Sequence, residues 1–147
     1  MPPVVNALIW TWIYHPSYGL LNDLLLRMGV IDQYHVWFND RGTGLFLVAV
    51  VQSWRMMPLT AILVLAALQS IPDELYEAAD LDGASRFRSF WAITLPLTWP
   101  VVAIAMTQSI VYAFNLFDEA WLLGGANLDT RTPLIQVYLL AFQNLQF

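Results

Sequence analysis

The chain has 147 residues, of which 59% are hydrophobic and only 12% charged, with a mean hydropathy of +0.57. Soluble domains carry about 25% charged residues, so a water-facing surface would lack roughly half its usual charge, and the chain is expected to meet lipid. A net charge of -5, with every basic residue an Arg, argues against nucleic acid as a partner, and the absence of Cys excludes a disulfide framework, a thiolate metal site and a Cys nucleophile.

Pro3–Tyr14 is apolar but too short to cross a bilayer. With no basic residue before Arg27 and no small-residue cleavage site after Tyr14, it reads as a half-span, 3–14, rather than a signal peptide. In the outer segment 15–43, Leu20, Leu21, Leu24, Leu25 and Met28 share one helical face. That predicts a short interfacial helix with Asn22, Asp23 and Arg27 turned to water. Asn39-Asp40-Arg41-Gly42 is a turn signal ahead of the first full span, 44–71, whose only charge is Arg55. About 20 apolar residues cross a bilayer core as a helix, and this stretch is long enough. A second span is expected over 97–123, uncharged until Asp118 and Glu119. Pro58 and Pro100 predict kinks that a bundle tolerates. An outer loop, 124–131, and a truncated span, 132–147, complete an all-α, polytopic transmembrane helix bundle.

The densest charge lies in the connection 72–96, PDELYEAADLDGASRFRSFWAITLP. Ser70 is placed to cap a helix beginning near Pro72, and Asp73, Glu74 and Glu77 complement the positive end of its dipole. Gly83 is placed to end that helix and Ser85 to start another. Ala78 and Ala79 beside an acid make a low-relief face that another protein's groove can receive, with the charged rim setting register. A plain solvated loop is the bland alternative.

Glu77-Ala78-Ala79, then Gly83, then Ile93-Thr94-Leu95-Pro96, set between two expected spans, resembles the EAA loop of the membrane subunits of binding-protein-dependent ABC importers. Trp54-Arg55 with Pro58, Leu68-Gln69-Ser70-Ile71-Pro72 running into Glu74-Leu75-Tyr76-Glu77, and Gly19, Asn22 and Phe117-Asp118 narrow the likeness to sugar permeases of the maltose and glycerol-phosphate type. Leu122-Leu123-Gly124-Gly125-Ala126 departs from the pattern, where relatives often have a Thr before the glycines and a Pro after them. Such permeases have about six or more spans, so the resemblance implies that this chain is a fragment. It further implies a multi-pass protein of a bacterial or archaeal plasma (inner) membrane with a cytoplasmic EAA loop. Glu77, Ala78, Ala79 and Gly83 would dock as a coupling helix on the ATP-hydrolysing subunit, while Ile93, Leu95 and Pro96 would set the return into the membrane. The implied partners are ATP-binding subunits, a second permease subunit (hetero- or homodimer), an extracytoplasmic solute-binding protein and the lipid bilayer. No cofactor is expected in this chain. With no Lys it cannot form a G-x-x-x-x-G-K-[ST] phosphate loop, so ATP and Mg would be held by a partner.

Arg55 falls roughly 16 Å into its span if the helix starts near Gly44, close to mid-membrane. A charge at that depth usually faces a bundle interior or a solute path. Asp118 and Glu119 are placed to pair with it or to line the outer mouth. Gln108, Ser109 and Asn115 offer hydrogen bonds suited to sugar hydroxyls, with interhelical bonding as the plainer role. An amino acid, a peptide or an anion is the alternative solute, and a non-transporting membrane assembly protein the alternative class. A membrane enzyme is disfavoured, because His15 and His35 have neither nucleophile nor ligand spacing around them.

Overall fold

A computed structural model describes residues 1–124 and 131–143 and contains no strand among them. In chain order the helices are α1 (Pro3–Ile13), α2 (Leu20–Arg27), a 3-10 turn (Trp37–Asn39), α3 (Arg41–Gln69), α4 (Asp73–Leu81), α5 (Arg86–Ser89), a π turn (Phe90–Thr94), α6 (Leu95–Phe114), α7 (Asp118–Gly124) and α8 (Pro133–Tyr138), which runs into a second π turn (Leu139–Gln143). They form two compact units, one of residues 1–55 and 112–147 and the other of residues 56–111. Most of the outer loop 124–131 and the last residues of the truncated span 132–147 lie outside the described residues, as do Gly125 and Ala126.

Two continuous helical stretches, Arg41–Gln69 and Arg86–Phe114, are each 29 residues long, and the most apolar 18-residue window of each has a mean hydropathy of 1.6. A soluble protein's core helix would be largely covered, whereas only 22% and 11% of their most apolar windows are buried within the chain. Their uncovered apolar surface suits lipid or neighbouring helices.

In the first unit α1 packs against α7, each helix contributing a fully buried alanine, Ala7 and Ala120. Small residues let helix backbones approach closely where apolar surroundings supply no hydrophobic drive. Val48, Leu116, Ala120, Ile135 and Leu139 form one buried cluster, and Tyr14, Leu47 and Val51 another. Helix α3 begins three residues before the expected Gly44, because Asp40 caps it. The Asp40 Oδ2 accepts from the Thr43 amide at 2.9 Å and the Thr43 hydroxyl at 3.0 Å. These bonds hold the exposed Asp40 carboxyl below its ordinary pKa.

Helix α2 forms where the spacing placed it, but Asn22 does not face water. Its side chain is completely buried, donating through Nδ2 to the carbonyls of His35 at 3.0 Å, Pro16 at 3.3 Å and His15 at 3.4 Å. Its Oδ1 accepts from the His35 amide at 3.2 Å. Asp23 and Arg27 keep the expected outward position as an i, i+4 pair 2.9 Å apart. Gly19, before α2, has an ordinary φ, yet a Cβ there would stand 2.4 Å from the His15 carbonyl oxygen. The turn at residues 15–19 therefore closes only around a hydrogen atom.

The second expected span, 97–123, is not one helix. The helical run that contains its start begins earlier, at Arg86, and α6 ends at Phe114. Asn115, Leu116 and Phe117 are non-helical, and α7 restarts at Asp118. Asn and Asp compete for backbone hydrogen bonds in non-helical geometry, and Asp118 and Glu119 favour a helix N-terminus, so the apolar run breaks at Asn115, just ahead of its acidic pair. The Thr132 hydroxyl donates to the Leu116 carbonyl at 2.6 Å and accepts from the Ile135 amide at 3.4 Å, capping α8.

Candidate functional site

Within the second unit, the EAA segment folds as two helices with a bend between them. Ser70 does not cap α4. Its hydroxyl donates to the Ala67 carbonyl at 2.8 Å at the end of α3, and the N-cap of α4 is Pro72, with Asp73 and Glu74 in the first turn. Proline's fixed φ suits an entrance to a helix, so the start shifts past it.

The far end of α4 is closed on both strands of the turn. The Ala84 amide donates to the Ala79 carbonyl at 2.9 Å and the Gly83 amide to the Asp80 carbonyl at 3.0 Å, with Gly83 at φ 71°. This is a Schellman ending, which needs a left-handed residue at the position Gly83 occupies. Ser85 then caps α5, its Oγ accepting from the Arg88 amide at 3.3 Å. The spacing of Glu77-Ala78-Ala79 to Gly83 thus has a local cause. The glycine ends the helix that presents the three residues.

Glu77 and Ala78 are exposed, whereas Ala79 is half-buried and lines a cleft of about 180 Å³ with Asp82, Ala84, Arg88, Ser89, Ala92 and Ile93. Leu81 is 90% exposed and Phe87 74%. The sequence reading placed Phe87 on the helix that Ser85 starts but did not single out Leu81, and the two apolar side chains flank the bend largely uncovered.

Ile93 and Leu95 are half-buried, and Pro96 is exposed. Pro96 has no N–H to give to the Ala92 carbonyl, and its ring crowds that carbonyl. The chain takes a π turn immediately before it, in which the Leu95 amide reaches back to the Phe90 carbonyl. Thr98 adds a side-chain donor to this stretch, giving its hydroxyl to the Thr94 carbonyl at 2.8 Å. Such wide turns are rare and concentrate at functional places.

Within the first unit, Arg55 and Glu119 come together. Arg55 Nε lies 2.7 Å from Glu119 Oε1, with the two side chains 16% and 2% exposed. Arg55 Nη2 also donates to Gln52 Oε1 at 2.8 Å, and the guanidinium lies over the Tyr112 ring, 5.8 Å from its centroid. Close by in the sequence of α3, the Val51 carbonyl accepts from Asn6 Nδ2 at 3.3 Å, so α1 also bonds into this polar interior. Asp118 is half-buried and Asn115 exposed. Ser109 gives its hydroxyl to the Ala105 carbonyl of its own helix at 2.8 Å, lining an apolar cleft, and Gln108 is half-buried. Asn6, Gln52 and Tyr112 escaped the sequence reading, having no charge to mark them.

The family described as the binding-protein-dependent transport system inner membrane component matches residues 1–143. The chain belongs to this family. Among relatives of this permease chain, the sulfoquinovosyl glycerol transport system permease protein of Agrobacterium fabrum is 34% identical over 95% of this chain and 44% of its own length. The arabinooligosaccharides transport system permease protein of Bacillus subtilis is 36% identical over 100% and 48%, and the trehalose/maltose transport system permease protein of Thermococcus litoralis is 35% identical over 99% and 48%. The chain therefore spans less than half the length of these relatives. A solved bacterial ABC transporter involved in the import of the acidic polysaccharide alginate superposes with a TM-score of 0.71 at 23% identity, covering 99% of this chain and 51% of that one. The all-α permease fold is thereby shown, and the EAA spacing resides in a member of the family it resembles.

Proposed function

We propose that this chain forms part of the transmembrane path of an ATP-driven importer for a sugar or related solute and docks on separate ATP-binding subunits through α4. The observation that carries the reading is the α4 element itself. It is a short acidic helix with Glu77 and Ala78 exposed, ended by a Schellman turn at Gly83 and joined by a capped bend to a helix of membrane-spanning length. The names of the relatives, which concern a sulfoquinovosyl glycerol, arabinooligosaccharides and trehalose/maltose, support a carbohydrate solute.

On this reading the protein is multi-pass in a bacterial or archaeal plasma membrane, with α4 on the cytoplasmic side. It works beside a second permease subunit and an extracytoplasmic solute-binding protein. ATP and Mg are held by the ATP-binding subunits, whose closure displaces the seated helix. Coupling then requires two arrangements of the bundle, one of which nucleotide binding favours. Glu77 is the ion-pair partner for a basic residue of the ATP-binding subunit, Ala78 and Ala79 give the close-fitting face, and Leu81 and Phe87 supply apolar area. Gln108, Ser109, Asn115 and Asp118 are the candidates for solute contact, and Arg55 with Glu119 holds the polar interior together.

Glu77→Lys, or Ala78→Trp, is expected to abolish uptake and copurification with the ATP-binding subunits while membrane insertion is retained. Normal uptake and copurification in either variant would sink the docking assignment.

A further inference from the structure

The Tyr76 hydroxyl and Thr94 Oγ1 lie 2.7 Å apart, bridging residues 18 positions apart in the chain. Tyr76 precedes Glu77 on α4, and Thr94 is the last residue of the π turn at the base of α6. From this bond we infer that Tyr76 and Thr94 are positioning residues that make α4 and the base of α6 move as one body. The inference rests on the coupling function proposed for α4.

The covalent path from α4 to α6 runs through the bend at Gly83 and Ala84, the single turn of α5 and the π turn. That path is compliant. A π turn has a wide, poorly packed geometry, and Pro96 removes a backbone donor just beyond it. Packing across the bend is also incomplete. The cleft walled by Ala79 and Ile93 opens between the two arms, and a second cleft of about 270 Å³ is lined by Tyr76, Asp80, Ser89, Phe90 and Thr94 among others. The hydroxyl bridge crosses this loosely filled region where the π turn hands over to α6. Being short and directional, it resists both separation and rotation of the two arms.

These 147 residues contain no Cys, so spin labels can be placed at Glu74→Cys on α4 and Leu97→Cys on α6 without removing a thiol from this stretch. In lipid nanodiscs the parent should give one narrow distance distribution. Tyr76→Phe and Thr94→Val should each broaden it, and Thr94→Ser, which keeps the hydroxyl, should restore the parent width. In the full chain assembled with its ATP-binding subunits, Tyr76→Phe should leave copurification and ATP hydrolysis unchanged while solute moved per ATP falls about fivefold, the scale of one net hydrogen bond. The Tyr76→Phe/Thr94→Val double variant should fall no further than either single one. An unchanged distance distribution in both single variants overturns the inference. So does a broadened distribution with unaltered solute per ATP, or independent, additive losses. Normal copurification of Glu77→Lys would instead overturn the docking function, leaving the distance measurement as the test of the bridge.

Discussion

Arg55, the midpoint residue of α3, stands 2.7 Å from the carboxylate of Glu119 on α7, and the Glu119 side chain is 2% exposed. Taking one member of such a pair away leaves a buried charge uncompensated, which costs about 3–5 kcal/mol. Glu119→Leu alone and Arg55→Met alone are each expected to lower thermal stability in detergent strongly, whereas the two together recover most of the loss. If the double variant is as unstable as the sum of the singles, the charges are not each other's partners.

Gly83 is tested by backbone rather than by space. A Cβ there would meet nothing within 4 Å, so the penalty for Gly83→Ala is that of holding an L-residue at φ 71°, about 1–2 kcal/mol. Gly83→Asn should behave close to the parent, since Asn tolerates the left-handed region, and Gly83→Val should be worse than Ala. Circular dichroism melts and copurification with the ATP-binding subunits, run on all three, should rank them in that order.

Asp40 gives the start of α3 a dependence on pH. Its pKa is lowered in the fold, first by the Thr43 amide and then by the Thr43 hydroxyl, so its contribution is present above the ordinary carboxylate pKa and is lost as acidification passes the lowered value. Hydrogen-exchange protection of the Thr43 amide should therefore decline in acid below the usual carboxylate range. Asp40→Asn should flatten that decline while keeping an acceptor in place, and Asp40→Ala should remove the protection at every pH.

Asn22 holds three carbonyls and one amide of the segment around α2. Asn22→Ala would strip the His35 amide of its side-chain partner, with an expected loss of about 1–3 kcal/mol and faster exchange at His35. Asn22→Asp keeps the acceptor but loses the donors, so it should rescue the His35 amide and not the overall stability. Parent-like melting of Asn22→Ala would show that the carbonyls find other partners.

How much of this was legible in the sequence depends on how local each cause is. The α4 element is written in consecutive residues: Gly83 acts through backbone bonds and Ser85 through its Oγ, all within five positions, and both behave as their types dictate. The partnership of Arg55 with Glu119 was one of two open readings, because a charge in an apolar run signals its need for a partner without naming it. Asn22 was misjudged since its neighbours form a good amphipathic face, and its enclosure comes from outside the helix, from the turn at His15 and Pro16 and from His35, 13 residues later. Ser70 lost the cap to Pro72 through the fixed φ of the proline. The break at Asn115 was hidden by an apolar run that hydropathy averages over, and the π turn by a sequence, Phe90–Thr94, that carries no signal until Pro96 follows it. Hydroxyl bridges such as Tyr76 to Thr94 have no sequence signature at all.

Thr132 joins two helix ends through one oxygen, which gives to the Leu116 carbonyl just past α6 and takes from the Ile135 amide in the first turn of α8. One hydroxyl thereby ties the start of α8 to the exit of α6, so its loss would remove a helix cap and a long-range link together. Thr132→Val would therefore be felt at both places at once, at the first turn of α8 and at Leu116, 16 positions earlier.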